Sequence, residues 1–421
     1  MTRIVITGMG IISPYGVGAE LLWENVLAGQ TALKDLTGFE TGHLNRRIGG
    51  QLTNFQARDY ISPRLARKID RFSTFGVIAS LLALRQAGLL RENNTAIWQG
   101  EENGGHRVGI TVGNNLGGWE FAERELRNLW ALGPRDVSPY IAAAWFPAAA
   151  QGNISLSFGI KGVGRTFISE RASSALALLH AADALTRGRA DIMLAGGTEA
   201  PLSPYACLFY EKSGQLSRQA ASGSPASYRP FDKDADGLVV GEGAAFFVLE
   251  RAEDAQARGA SILAELAGWA STNDGFDPVR AAPDGRRYAA AMTRAMERAS
   301  ITPAEVGCIF AAGSALPDED FSETRALHLA LGETAPHVPV TAPKAAFGNL
   351  FGAAHSLDLA LAILALRDGL IPPTLNLDES APGCDLDYVS QTVRPAKKMS
   401  HCLVNARGLG GSNASVVVRK A

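Results

Sequence analysis

A chain of 421 residues, 46% hydrophobic and 19% charged, with 45 glycines and 20 prolines, has enough apolar side chain for one large or two medium cores and is not a disordered polymer. Its formal net charge of −2 offers no electrostatic footprint for nucleic acid. The four cysteines, Cys207, Cys308, Cys384 and Cys402, lie far apart without CxxC or Cys/His spacing, which argues against a metal site and fits a reducing, cytoplasmic setting.

The first sixteen residues are apolar, but Gly8, Gly10 and Pro14 interrupt them and only Arg3 is basic. A strand over Ile4–Thr7 followed by a tight glycine turn fits this better than a signal peptide. The same Gly8-Met9-Gly10 lacks the third glycine of a dinucleotide fingerprint, since Ser13 stands there; no cofactor is expected. An amphipathic helix over Arg64–Ala87 leads to a strand at Val108–Val112. Residues Val137–Ile160 carry no charge, yet Pro139, Pro147, Gln151 and Asn153 suit a buried or subunit-interface segment rather than a bilayer span. Thr166–Ser169 reads as a strand, Ser173–Leu185 as a helix apolar nearly all round, and Ile192–Ala195 and Ala245–Leu249 as strands.

A second series repeats the first. Strands at Ile262–Leu266, Val306–Ala311, Val338–Thr341, Cys402–Asn405 and Ser415–Val418 enclose an amphipathic helix, Arg286–Ser300, and an apolar one, Leu350–Leu366. Helices without a polar face are buried on all sides. The pattern predicts an α/β fold made by duplication, five-layered α-β-α-β-α, with halves 1–255 and 256–421.

The chemistry belongs at the N-terminal ends of the two buried helices, where free N–H groups and partial positive charge favour a thiolate or oxyanion. Those ends carry Glu170-Arg171-Ala172-Ser173 and Phe347-Gly348-Asn349, without a cysteine. A cation at Arg171 opposes the helix dipole by about 0.3–1 kcal/mol, unless Glu170 or another carboxylate or carbonyl receives it.

Several stretches resemble the β-ketoacyl synthases of fatty-acid and type II polyketide assembly lines. They are Gly133-Pro134-Arg135-Asp136-Val137-Ser138-Pro139, Gly159-Ile160-Lys161-Gly162, Ala190 to Glu199, Arg229-Pro230-Phe231-Asp232, Asp236 to Gly243 and Gly383 to Asp387. The resemblance runs from Arg3 to Val418 and implies a thiolase-like fold with two mixed sheets and buried central helices. It also implies a tight dimer and work on chains bound to an acyl carrier protein. The family's nucleophilic Cys maps to Arg171, its two His to Ala312 and Asn349, its retained Lys to Lys344 and its gate-loop Phe to Arg407. On that mapping the chain is expected not to be an enzyme on its own but a subunit of a ketosynthase complex.

Ala144-Trp145-Phe146, Glu170 and Ala406-Arg407-Gly408 resemble one branch, the chain-length factors or ketosynthase β subunits, many of which carry Gln at the nucleophile position. That branch implies a heterodimer with an active ketosynthase, extending an aromatic or polyene polyketide. By position Trp119, Ala122 and Leu126 would line its acyl tunnel. Their i, i+3, i+7 spacing places them on one helical stripe, which periodicity alone would assign to core packing. Lys344 is expected to bond backbone or a carboxylate, and Asp318, Glu319, Asp320 and Glu323 to form a solvated acidic patch. His180, His328 and His355 read as core or rim histidines. Two other functions stay open: a malonyl-carrier decarboxylase or acyltransferase using Ser173 or Ser174, and a homodimeric scaffold.

Overall fold

The computed structural model describes residues 2–39, 44, 47–102 and 104–421, the side chains of 221 and 222 excepted. Its main sheet has eleven strands: a two-residue strand, Gly16–Val17, that pairs with the end of the opening strand, and two arms of five. The first holds β1 (Ile4–Ser13), β2 (Val108–Gly113), β3 (Gly164–Phe167), β4 (Ile192–Glu199) and β5 (Gly243–Arg251). The second holds β6 (Ala264–Asn273), β7 (Cys308–Phe310), β8 (Val340–Thr341), β9 (His401–Gly408) and β10 (Ser412–Lys420). The helices used below are α1 (Arg71–Gln86), α2 (Trp119–Ala131), α3 (Ala149–Phe158), α4 (Ser173–Thr186) and α5 (Pro204–Ser213). They continue with α6 (Arg286–Ala299), α7 (Pro317–Leu331) and α8 (Ala354–Asp368).

The order in the first arm is β3-β2-β4-β5-β1, and in the second β8-β7-β9-β10-β6. Numbered within each half, both read 3-2-4-5-1. The directions match too: the first three strands pair in parallel and the last two antiparallel. This is the duplication expected from the sequence. The arms meet where Ile4–Ile6 of β1 pair with Ala264–Leu266 of β6, so hydrogen bonding passes from one half into the other.

Helix α1 covers the outer face of the first arm and α6 that of the second, while α4 and α8 pack on each other between them. Every residue from Ala354 to Leu366 of α8 is buried, which is why it shows no polar face. Among the described residues no helix is long and apolar enough to cross a membrane.

Two sequence readings need correcting. Gly8 and Gly10 are not a turn, because β1 runs through both. A methyl group there would lie 2.2 Å from the Ala83 carbonyl oxygen and 1.9 Å from that of Ala79, so these glycines let strand and helix α1 touch backbone to backbone. Gly268 does the same against Ala295 in the second half. Residues 64–87 are not one amphipathic helix. A short turn, Pro63–Ala66, stops before Asp70, whose carboxylate caps α1 by accepting the Phe72 N–H at 3.0 Å, and α1 is buried nearly all round between the sheet and α3. Of the two readings of residues 137–160, buried or subunit-interface, only the first is ruled out for the whole segment: Trp145, Phe146 and Leu156 are exposed in the single chain, the last at 83%.

Candidate acyl-transfer site

Both buried helices start in the same unusual way. Glu170 and Phe351 adopt positive φ, 50° and 43°, and each opens a 3-10 turn that feeds α4 or α8. A non-glycine residue in that region is strained by roughly 1–3 kcal/mol and must be held by its surroundings.

At the first of these ends Arg171 is buried, and its guanidinium is fully engaged. Nε donates to the Glu170 carboxylate at 2.9 and 3.0 Å, while Nη1 and Nη2 reach the two oxygens of Glu319 at 2.8 and 2.9 Å in a bidentate pair. Burial opposes the charge on Arg171, but the carboxylates of Glu170 and Glu319 outweigh it and hold its pKa well above the ordinary value. Burial pushes the Glu319 carboxyl up; Arg171 overrides this and leaves it below the usual carboxylate range. Glu170 also accepts the Leu409 N–H at 3.0 Å, which ties this end to the glycine-rich loop after β9. Both routes of compensation for the misplaced cation are therefore used.

The other mapped positions are drawn in by α7. Its Glu323 accepts the N–H groups of Ala312 and Gly313 at 2.9 and 3.1 Å. The Gly313 carbonyl accepts the Tyr228 hydroxyl at 3.0 Å, and that hydroxyl accepts Asn349 Nδ2 at 3.1 Å. Asp320 accepts the N–H groups of Phe231, Ser314 and Ala315; burial pushes its carboxyl up to about 7 against those bonds. The expected solvated acidic patch is thus a correction. Asp320 and Glu323 are 2% exposed and Glu319 is paired, because their acceptor oxygens satisfy backbone donors and a buried cation. Only Asp318 stays on the surface. The N-terminal acid run on a helix starting at Pro317 was the signal in the sequence, read there as solvation.

Lys344 donates to the Ala311 carbonyl at 2.6 Å and pairs with Asp358 at 2.8 Å; burial raises the Asp358 carboxyl to about 6, with Lys344 opposing. Arg407 is locked to Asp274, donates to Ser322 Oγ at 2.9 Å and lies over the Tyr288 ring. Glu199, at the end of β4, went unnoticed in the sequence. It accepts N–H groups from Asn115, Leu116 and Gly352, and burial outweighs those bonds and raises it to about 8. Beside it, Tyr210 of α5 stacks on Phe351 with ring centres 3.9 Å apart, and its hydroxyl accepts Asn115 Nδ2 at 2.7 Å.

On α2, Trp119 is half-buried and stacks on the exposed Tyr205 at 4.7 Å; Ala122 is buried and Leu126 half-buried. Ser173 Oγ donates to the Glu170 carbonyl and accepts the Ser169 N–H, and Ser174 Oγ accepts the Ser356 N–H. Neither hydroxyl is bonded to a histidine. Burial lowers the His355 ring to about 3, so it is neutral, and His328 bonds Asp385 at 2.8 Å. His180 lies 5.4 Å from the Phe167 ring, and burial raises the Cys207 thiol to about 12.

Two halves with the same mixed sheet, meeting at paired buried helices, define a thiolase-like ketosynthase fold. The sequence matches the family "Beta-ketoacyl synthase" in both its parts, the N-terminal domain over residues 1–255 and the C-terminal domain over 263–378. The chain belongs to the β-ketoacyl synthase family. It is 34% identical over 418 residues to a 3-oxoacyl-[acyl-carrier-protein] synthase 2 of Staphylococcus aureus, covering 99% of this chain and 98% of the relative. It is 39% identical to a putative polyketide beta-ketoacyl synthase 2 of Streptomyces halstedii, covering 99% and 97%. The solved ishigamide ketosynthase/chain length factor superimposes with a TM-score of 0.89 at 28% identity, covering 100% of this chain and 99% of that one.

These relatives overturn one expectation. The Arg171, Ala312 and Asn349 replacements imply a chain that is not an enzyme on its own, but full-length relatives at 34 and 39% identity are named synthases and point to an active ketosynthase.

Proposed function

We propose that this chain is a chain-length-setting subunit of a β-ketoacyl synthase pair, which extends a polyketide held on an acyl carrier protein. In this reading its halves are residues 1–255 and 256–421, and its partner is a second ketosynthase chain. The observation that carries it is a set of large exposed apolar side chains on α2, α3 and α5 and beside the open edge strand β3. Trp130, Trp145, Leu156, Ile168, Tyr205 and Phe209 are each at least 43% exposed, and the Gly118 N–H to Trp145 carbonyl bond, 2.7 Å, ties Trp145 to the start of α2. Apolar patches of this kind beside an unpaired strand belong to interfaces. Trp119, Ala122 and Leu126 run along α2 at this surface. Across an interface, their bulk would set where a growing acyl chain meets a wall.

Native mass spectrometry of the chain, alone and co-expressed with a ketosynthase that carries an intact Cys-His-His set, tests the reading. A one-to-one pair supports it. A stable homodimer that ignores the ketosynthase overturns it.

A further inference from the structure

Two cysteines far apart in the sequence are neighbours in the sheet. Strands β7 and β9 run side by side in parallel, and their register sets Cys308 directly opposite Cys402. Paired residues on adjacent strands project to the same face from backbones about 4.8 Å apart, so the two thiols meet. A hydrogen bond joins them, and burial first, then Cys308, pushes the Cys402 thiol well above its ordinary range. A third sulfur completes the group: Sδ of Met399, two residues before β9, stands 3.6 Å from Cys402 Sγ. Both cysteines are fully buried and Met399 is 6% exposed, all three in the core that holds α8. Cys207 and Cys384 lie in other parts of the core. Gly307 makes room for the thioether, since a methyl group there would stand 2.7 Å from Met399 Cγ. Met399 also lines a surface cleft with Gly307, Lys397 and Lys398, so its flexible side chain lies between the thiols and solvent.

We propose that Cys308, Cys402 and Met399 form a binding site for one soft monovalent cation, Cu(I), at the start of β7 and β9. Thiolate and thioether sulfur select Cu(I) over harder ions. At a metal–sulfur length of about 2.3 Å, two ligands of a trigonal or tetrahedral ion stand about 3.8–4.0 Å apart, close to the spacing already present between Cys402 and Met399. Zinc would need a fuller set of Cys, His or carboxylate ligands, and among the described residues no group of three or more such side chains could hold a metal ion. The step balances without a change of oxidation state: one Cu(I) and two thiols give a two-thiolate complex of net charge −1 and release two protons, while Met399 lends a lone pair. Lys397 and Lys398, exposed on the same cleft, carry the opposite charge. The site is independent of which subunit of a synthase this chain supplies.

Anaerobic titration of the full chain with Cu(I), in competition with a chromophoric Cu(I) chelator, tests the proposal. Native mass spectrometry counts the bound ions, and X-ray absorption at the copper edge reads the ligands. The parent should take one ion, held by three sulfurs at about 2.3 Å. C308A and C402A should each weaken binding by on the order of a hundredfold or more, since even a residue that only supports a ligand is worth about 10–100-fold. M399L should weaken it about tenfold and leave two sulfurs on the metal. C207A/C384A should bind as the parent does. A parent that takes no copper from the chelator, or holds it through oxygen or nitrogen, overturns the inference. So does copper held equally well by C402A and the parent. Where a cysteine variant fails to fold, M399L still decides, because Met and Leu exchange at nearly constant volume. An affinity and sulfur count unchanged in M399L overturn the three-sulfur site.

Discussion

Replacing Arg171 with alanine removes the cation that two buried carboxylates share. Four charge-assisted hydrogen bonds disappear, and Glu170 and Glu319 are left facing each other in a site from which water is excluded. Breaking a buried pair by deleting one partner costs about 3–5 kcal/mol, most of it the penalty for the stranded charge. At about 2.1 cal/mol/K per residue, unfolding 421 residues as one unit carries an entropy near 0.9 kcal/mol/K, so the melting temperature should fall by about 3–6 °C at pH 7. The pH dependence gives a sharper sign. In the parent, Glu319 is held below its ordinary range, so its contribution is present above the unfolded carboxylate pKa and is lost as pH falls through the folded value. In the variant, burial, the largest influence, is opposed only by Arg407 and the Ser314 hydroxyl and raises the carboxyl, so the folded chain takes up the proton first and stability increases as pH drops from about 7 toward 5. Scanning calorimetry of both proteins across that range reads the two slopes. A variant that melts within about 1 °C of the parent and shows the same slope would refute the reasoning. Combining R171M with E170Q and E319Q should recover most of the loss, since a neutral site of similar volume strands no charge.

Within an active pair, Trp119→Ala should lengthen the longest polyketide and Ala122→Leu should shorten it; mass spectrometry of products reads both, and unchanged distributions would remove the tunnel assignment. Filling the buried Ala122 position costs about 1–3 kcal/mol of packing, enough to shift a product ratio tenfold. Gly8→Ala places a methyl group 2.2 Å from the Ala83 carbonyl oxygen and should destabilise by about 3 kcal/mol or more, seen as a lower melting temperature or loss of soluble protein. Lys344→Met leaves Asp358 without its cation and should cost about 3–5 kcal/mol, while Lys344→Met with Asp358→Leu should recover most of it. Because the Asp358 carboxyl already stands at about 6, above its unfolded value, it favours the fold increasingly as pH falls through 6, and the Lys344→Met variant should show that gain starting at higher pH.

All ten strands of the two arms were legible as β-branched or apolar runs, but not their bounds: β1 and β6 run on to Ser13 and Asn273, past the expected Thr7 and Leu266, and β3 begins two residues earlier than the pattern suggested. The duplication was legible in the two helices without a polar face. Helix α1 was misjudged because Ser73, Thr74 and Ser80 look like a solvated face and are fully or nearly buried. The site was half legible. Arg171 stood out as a cation at a helix N-terminus, but its partner Glu319 lies 148 residues away, and no spacing rule joins such a pair. Glu199 and the Tyr210–Phe351 stack escaped for the same reason: their meaning lies in contacts between distant segments. The enzyme question went the other way: the likeness was legible from Arg3 to Val418, but the three replaced residues implied a chain that is not an enzyme on its own, against full-length relatives named synthases.

Strand β6 is flanked by β1 on one side and β10 on the other, with Ile4, Leu266 and Val418 side by side in register. The first and last strands of the chain therefore stand two strand spacings apart, about 10 Å. A bridge of three or four extended residues covers that gap. Joined in this way, the polypeptide becomes a ring of two similar halves with no topological beginning. It could be reopened at the exposed turn around Gly259, which precedes β6, so that the second half is synthesised first and the first half docks onto it.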